Sequence, residues 1–321
     1  MAVTTNTGPL YRRKDPGIFG RLVGARSPVQ ANQAKWGYIF LLPWLLGLII
    51  FWIGPILISA YFSVLEYDVL SPPIFIGIDN YTRAFSGDKQ FWPSLGRTFY
   101  YSIVVVPLSV FGSLWLAMLL NQKLKGTNFF RTLFFLPHLI PAVALAVLWI
   151  WLFHPSVGPI NLILSWVGID GPGWLASKQW AVPALIVISL WAGLGGNTML
   201  IFLAGLQGVP QELLEAAEID GASRWTKFRH VTLPMISPTL LFNLILGVIG
   251  ALKVFTLAFV ATQGGPSYAT WFYALHIYNQ AFAYFRMGYG AALAWIFVLI
   301  LLIFTYFQLQ LSKRWVYYAG E

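Results

Sequence analysis

Cysteine is absent from the 321 residues, which excludes disulfides, iron–sulfur clusters and thiolate metal sites. Charge is scarce too. Asp, Glu, Lys and Arg make up 10% of the chain, against roughly 25% in an average soluble domain. Acids are the rarer sign, 11 against 20 bases, for a net charge of +9. The four histidines, His138, His154, His230 and His276, are too far apart for a metal-ligand spacing. Neither a GxxxxGK[ST] phosphate loop nor a dinucleotide fingerprint occurs, so ATP-driven work would need another subunit to bind the nucleotide. With no nucleophile–base pair or metal cluster in view, no catalytic residue, metal or cofactor is assigned, and a membrane-embedded enzyme is disfavoured.

What remains is apolar: 58% hydrophobic and 17% aromatic residues. This composition predicts an all-α polytopic membrane protein. Six segments approach the ~20 residues needed to cross the hydrocarbon: Trp36–Val64, Thr98–Leu120, Thr132–Phe153, Trp180–Leu206, Ile236–Val260 and Tyr289–Leu311. In a soluble protein the excess of bases would suggest nucleic acid. Here it is read as Lys and Arg flanking spans on the cytoplasmic side, with no nucleic-acid partner.

The bases also orient the chain. With the N-terminus inside, the inner segments collect Arg12, Arg13, Lys14, Arg21, Arg26 and Lys35, then Lys123, Lys125 and Arg131, then Arg224, Lys227, Arg229, Lys313 and Arg314. The outer segments hold only Arg83, Lys89, Lys178 and Arg286, with Arg97 at a boundary. Both termini are therefore expected in the cytoplasm. Residues 1–35 read as a basic cytoplasmic tail rather than a removable signal peptide, because no short apolar core precedes a small-residue cleavage site. Residues 36–311 form the membrane domain, and 312–321 a second cytoplasmic tail. Prolines at 43, 55, 107, 137, 141, 183 and 238 each favour a kink.

One cytoplasmic stretch breaks the apolar pattern: "ELLEAAEIDGASRWTKFRHVTLP", Glu212 to Pro234. Pro210 suits a helix start. Glu212, Glu215 and Glu218 complement the N-terminal end of the dipole. Ala216 and Ala217 permit close approach, and Gly221 ends or bends the helix before a basic second segment. A helix–elbow–helix on the cytoplasmic face is predicted. An amphipathic linker lying among headgroups is the alternative, but it would carry bases throughout, whereas here acids lead and bases trail.

Glu215-Ala216-Ala217, three residues, Gly221, nine residues and Val231-Thr232-Leu233-Pro234 resemble the EAA loop of ABC importer permeases, with Val231 replacing the usual Ile. "LPHLIP", "FHPSVGPIN", "LWAGLGGNTMLIFLAGLQGVP" and "TQGGP" resemble other fixed points of the maltose-type membrane subunit, its F-type half in particular. "IGIDNYTRAF" and "FRMGYGAALAW" are weaker matches. The resemblance implies a type I importer permease with six transmembrane helices and a coupling helix within residues 207–233. It further implies a second homologous permease subunit, two cytoplasmic ATP-binding subunits, an extracytoplasmic solute-binding protein and a saccharide substrate. Glu215, Ala216, Ala217, Asp220, Gly221, Leu233 and Pro234 would then couple the membrane domain to the ATPases.

Along the substrate path, Ser189, Trp191, Gly193 and Asn197 in "SLWAGLGGNTM" are candidates, since sugars are held by aromatic faces and by amide and hydroxyl groups. Close helix packing is the competing explanation for the glycines. Lys253 is the one formal charge deep in a span; such residues face a cavity or a partner. It either lines the cavity, which would admit an acidic oligosaccharide or glycerol phosphate, or bonds to backbone at a packed interface. A proton-coupled secondary transporter would need an intramembrane acid, which the spans lack.

Overall fold

A computed structural model describes residues 28–122 and 125–317, together with Gly24. Of the residues used above to orient the chain, Arg12, Arg13, Lys14, Arg21, Arg26 and Lys123 lie outside the described residues. The chain divides into two compact units after Tyr61. Within the first, helix α1 (Val29–Phe62, its last residue already in the second unit) is long and apolar enough to cross a membrane. It starts earlier than hydropathy predicts, so Lys35 is helical rather than part of a tail. The reason is that Gln, Ala and Lys are good helix formers that hydropathy does not register. Pro43 is accommodated within the helix, whereas Pro55, lacking an N–H, follows a π-turn at Ile49–Ile53 in which the Gly54 amide donates to the Ile49 carbonyl.

The second unit opens with a short antiparallel pair, β1 (Leu65–Glu66) and β2 (Ile74–Phe75), in register Leu65 to Phe75. Buried Asn80 holds the start of this pair, donating to the Ser63 and Leu65 carbonyls at 3.0 and 2.8 Å. Helix α2 (Phe91–Leu120) is the central element. Its buried stripe Val106, Val110, Leu114 and Ala117 follows the helical period and joins a core with Leu185, Ile188, Met199 and Phe202. Pro107 does not interrupt α2.

The next two predicted spans are broken helices. Helix α3 (Thr127–Leu139) meets α4 (Ala142–Leu152) at 93°. Pro137 and Pro141 remove donors at the corner, and Ile140, preceding proline, is held extended at ψ 126°. With 11 residues, α4 is about 16 Å long, against a hydrocarbon thickness of about 30 Å. The expected span Thr132–Phe153, with kinks favoured at Pro137 and Pro141, is a pair of helices broken by 93°. After α5 (Pro159–Trp166), α6 (Ala181–Gly193) meets α7 (Asn197–Gln207) at 45°. The Leu194 carbonyl freed at that corner accepts from Ser113 Oγ at 2.8 Å. Pro183 and Pro238 fall in first helical turns, where a missing N–H costs little, and so kink nothing.

Helices α8 (Gln211–Ile219) and α9 (Arg224–Lys227) form the charged elbow. Helix α10 (Ser237–Leu252) and α11 (Thr256–Ala261) make up the fifth segment, α12 (Tyr273–Tyr278) is short, and α13 (Met287–Ser312) is the last span. Beyond it, the Tyr317 amide donates to Ser237 Oγ at 2.8 Å. The segment expected as a C-terminal tail from 312 is joined at Tyr317 to the start of α10; residues 318–321 lie outside the described residues.

One polar cluster joins three elements distant in sequence. Asp88, just before α2, accepts from His276 Nε2 of α12 at 2.8 Å and from the Tyr289 hydroxyl of α13 at 2.6 Å. Trp271 Nε1 donates to His276 Nδ1 at 3.1 Å, which leaves Nε2 as the protonated nitrogen facing Asp88. Arg83 stacks over the Tyr289 ring at 4.7 Å. Burial raises the Asp88 pKa, but the bonds from His276, Tyr289 and the Gln90 amide outweigh it and hold the carboxyl well below its usual range. A depressed folded-state pKa means that this stabilisation is complete above about pH 4 and is lost only as pH falls through the lower folded value. Asp88→Ala strands three donors, those of His276, Tyr289 and the Gln90 amide, and is expected to cost on the order of 3 kcal/mol. Thermal melts of the purified protein at neutral pH check this; an unshifted midpoint would remove the cluster's structural role.

Candidate functional site

The elbow is built from local chemistry. Pro210, extended at ψ 128°, leads into α8, which ends at Asp220. Gly221 then takes φ +78°, a left-handed conformation open to glycine at no steric cost. The Ala222 amide returns to the Ala217 carbonyl at 2.9 Å, closing the helix end. Ser223 starts the second arm, its Oγ accepting from the Thr226 amide at 3.2 Å. Across the bend, Lys227 Nζ meets Glu218 at 3.0 Å.

The second arm is fastened to the membrane core, with Phe228 and Leu233 packing against it. Ser237 Oγ donates to the Pro234 carbonyl at 2.6 Å. Helix α8 is the opposite: none of its residues is buried, Glu215 and Ala216 are exposed, and Ile219 is 87% exposed. The predicted residues therefore divide. Glu215, Ala216, Ala217 and Asp220 form the projecting arm, Gly221 sets its angle, and Leu233 and Pro234 join it to α10. A rigidly rooted arm with an open, small-residue face can transmit displacement to the spans.

The path candidates do not form one cluster. Ser189 is engaged: it shares a 2.6 Å hydrogen bond with the Tyr101 hydroxyl and donates to the Leu185 carbonyl at 2.9 Å. Trp191 is exposed and meets Trp149 edge-on at 5.6 Å. Asn197, the first residue of α7, is exposed. Gly193 has room, since a Cβ there would touch only Ser109 Oγ at 3.8 Å. Its neighbours are the packing residues: a Cβ on Gly195 would collide with the Phe134 carbonyl, and one on Gly196 would lie 2.7 Å from His138 Nδ1. Those two glycines let the end of α3 press onto the α6–α7 corner. Lys253 lies exposed at the break between α10 and α11.

Trp149 is a residue that sequence reasoning passed over. Its ring touches Trp191, and its buried Nε1 has no partner. In sequence it is one aromatic in an apolar run, so only the fold singles it out. Among the described residues no group of three or more His, Asp or Glu is placed to hold a metal.

Residues 91–317 match the family described as binding-protein-dependent transport system inner membrane component. The chain is 40% identical over 289 residues to the probable ABC transporter permease protein YesP of Bacillus subtilis, covering 89% of this chain and 93% of that one. It is 36% identical over 292 residues to the trehalose/maltose transport system permease protein MalF of Thermococcus litoralis, covering 89% and 97%. Among solved structures it resembles a chain of a bacterial ABC transporter involved in the import of the acidic polysaccharide alginate, with a TM-score of 0.80 and 26% identity over 92% of this chain and 99% of that one.

Proposed function

This chain belongs to the family of binding-protein-dependent transport system inner membrane components, and on that premise we propose how it works. It is a saccharide-importing permease subunit of an ABC transporter, working by alternating access. It pairs with a second, homologous permease subunit. Two cytoplasmic subunits bind and hydrolyse ATP, and an extracytoplasmic solute-binding protein delivers the sugar. The chain lies in a prokaryotic plasma membrane with both termini in the cytoplasm, which supplies the elbow to the ATPases.

The observation that carries the mechanism is the elbow itself. None of the residues of helix α8 is buried, while Phe228 and Leu233 root its companion arm in the core. Glu215 makes polar contact with the ATPase surface, Ala216 and Ala217 give clearance, and Asp220 with Gly221 fixes the angle. Closure of the ATPases on ATP moves α8, and the displacement passes through Leu233 and Pro234 into α10. The free energy comes from nucleotide binding and hydrolysis, which differ between inward- and outward-facing states. Ser189, Trp191, Gly193, Asn197 and Lys253 belong to the substrate path; Ser189 acts there through its bond to Tyr101.

The test is reconstitution of the full complex in proteoliposomes with its solute-binding protein. Labelled saccharide is expected to accumulate only with ATP inside the compartment that holds the ATPases. Accumulation driven by a proton gradient without ATP would overturn the assignment.

A further inference from the structure

Lys253 carries a charge that the mechanism above places on the substrate path without giving it a task. Helix α10 runs 16 residues and stops at Leu252; Lys253 caps it, its amide donating to the Ile249 carbonyl at 3.2 Å. Val254 and Phe255 then carry the chain outside helical geometry to Thr256, where α11 begins. At 1.5 Å per residue along α10 the lysine lies about 24 Å from the cytoplasmic end of this span, and eight residues of the span remain beyond it. Its four-carbon stem does not bridge that depth to the headgroups, as a lysine near a helix end does.

Two of the other bases in the spans have acceptors within the chain. Arg131 donates from Nε and Nη2 to the Leu120 carbonyl at 3.3 and 2.8 Å, and Arg97 reaches Gln90 Oε1 at 3.4 Å near the outer end of α2. Lys253 is exposed, nothing among the described residues accepts a bond from its ammonium, and the described spans contain no Asp or Glu. A charge at this depth needs an anion or a polar cavity. The end of α10 contributes only the partial negative charge of its last carbonyls.

Beside the break stands a ladder of rings. Phe255 and Phe259 stack at 5.3 Å with 16° between planes. Tyr278 lies 5.2 and 5.1 Å from them, and Phe282 a further 5.4 Å beyond. Phe259 and Phe282 are open at the surface of the chain. Flat apolar faces beside a single cation suit a sugar ring that carries a negative group, with the rings taking its C–H faces and the ammonium its anion.

We propose that Lys253 is a specificity-determining residue that selects a saccharide bearing an anionic group, a uronic-acid oligosaccharide in its simplest form. The inference rests on the saccharide-importer reading and deepens it. Recognition is a charge-assisted hydrogen bond from Nζ to the sugar carboxylate, made in a site of low dielectric where the ammonium lacks another anion.

The experiment uses native host cells, which supply every partner. Strains carrying wild type, Lys253→Gln, Lys253→Arg or a deletion of the chain are given one mixture of partly hydrolysed starch, arabinan, pectin and alginate. Loss of each oligosaccharide from the medium is followed by mass spectrometry. In wild type, uptake that depends on the chain is expected to be confined to uronate-containing oligosaccharides. Lys253→Gln should lower it at least about ten-fold and Lys253→Arg should retain most of it, since the charge-assisted bond survives only in the latter. Wild-type uptake of neutral oligosaccharides would overturn the proposal even if Lys253→Gln fails to insert. So would acidic uptake indifferent to Lys253→Gln. Absence of any saccharide uptake dependent on the chain is a different failure, because it would sink the importer reading itself.

Discussion

Gly221→Val is expected to lower ATP-driven uptake at least about ten-fold without removing the protein from the membrane, because a β-branched residue is a genuine outlier at positive φ. Gly221 holds φ +78° with open space around its missing Cβ, so the obstacle is backbone conformation rather than crowding. The left-handed region costs an L-residue about 1–2 kcal/mol. That is too little to unfold a chain with two buried clusters, but enough to let the elbow relax to another angle. Helix α8 would then present Glu215, Ala216 and Ala217 in the wrong place. Asn tolerates this region, so Gly221→Asn should stay within about two-fold of wild type. Uptake and ATPase activity of both variants in proteoliposomes decide the matter. Equal transport by the valine and asparagine variants would mean that the elbow's angle does not matter.

Gly195→Ala is expected to be strongly destabilising, costing about 3 kcal/mol. Its Cβ would collide with the Phe134 carbonyl, a backbone atom that cannot rotate away. Two residues earlier the same change is harmless on steric grounds, since a Cβ on Gly193 meets only Ser109 Oγ at 3.8 Å. Gly193→Ala even gains helix propensity, up to about 1 kcal/mol. Thermal-shift measurements on the two detergent-solubilised variants should therefore move in opposite directions. Similar midpoints would mean that α3 does not press on the α6–α7 corner as described.

The glycine pair shows where a one-dimensional reading stops. "GLGG" announces that something must come close, but not which glycine is needed or what approaches it. The elbow was legible because its determinants are local: Pro210, the acidic first arm, Gly221 and the basic second arm all act within a few residues. The spans were legible by length and apolarity. The 93° corner between α3 and α4 was not, because hydropathy counts apolar residues and is blind to direction. Pro137 and Pro141 promised a kink; its size comes from a 3-10 turn, Leu136–Leu139, that contains Pro137 and is followed closely by Pro141. The Asp88 cluster was invisible for a different reason. Its partners stand 188 and 201 residues away in sequence, and only folding makes them neighbours. Ser189 is legible as a substrate-path candidate, but its bond to the Tyr101 hydroxyl, 88 residues away in sequence, is not.

The corner between α3 and α4 also bears on biogenesis. A translocation channel releases a nascent segment sideways into lipid when that segment is long and oily enough to be stable there alone. Ala142–Leu152 is oily but covers only about half the bilayer, so its ends would leave peptide groups unsolvated in hydrocarbon. It therefore has no resting place of its own in the membrane. It must wait, or be held, until α6 and α11 have been made, and α11 lies more than a hundred residues downstream. Trp149 and Phe153 then bring it to the Trp174 and Trp191 rings that receive it. The contacts that seat the third segment thus come from elements made after it, so its final packing waits on their synthesis.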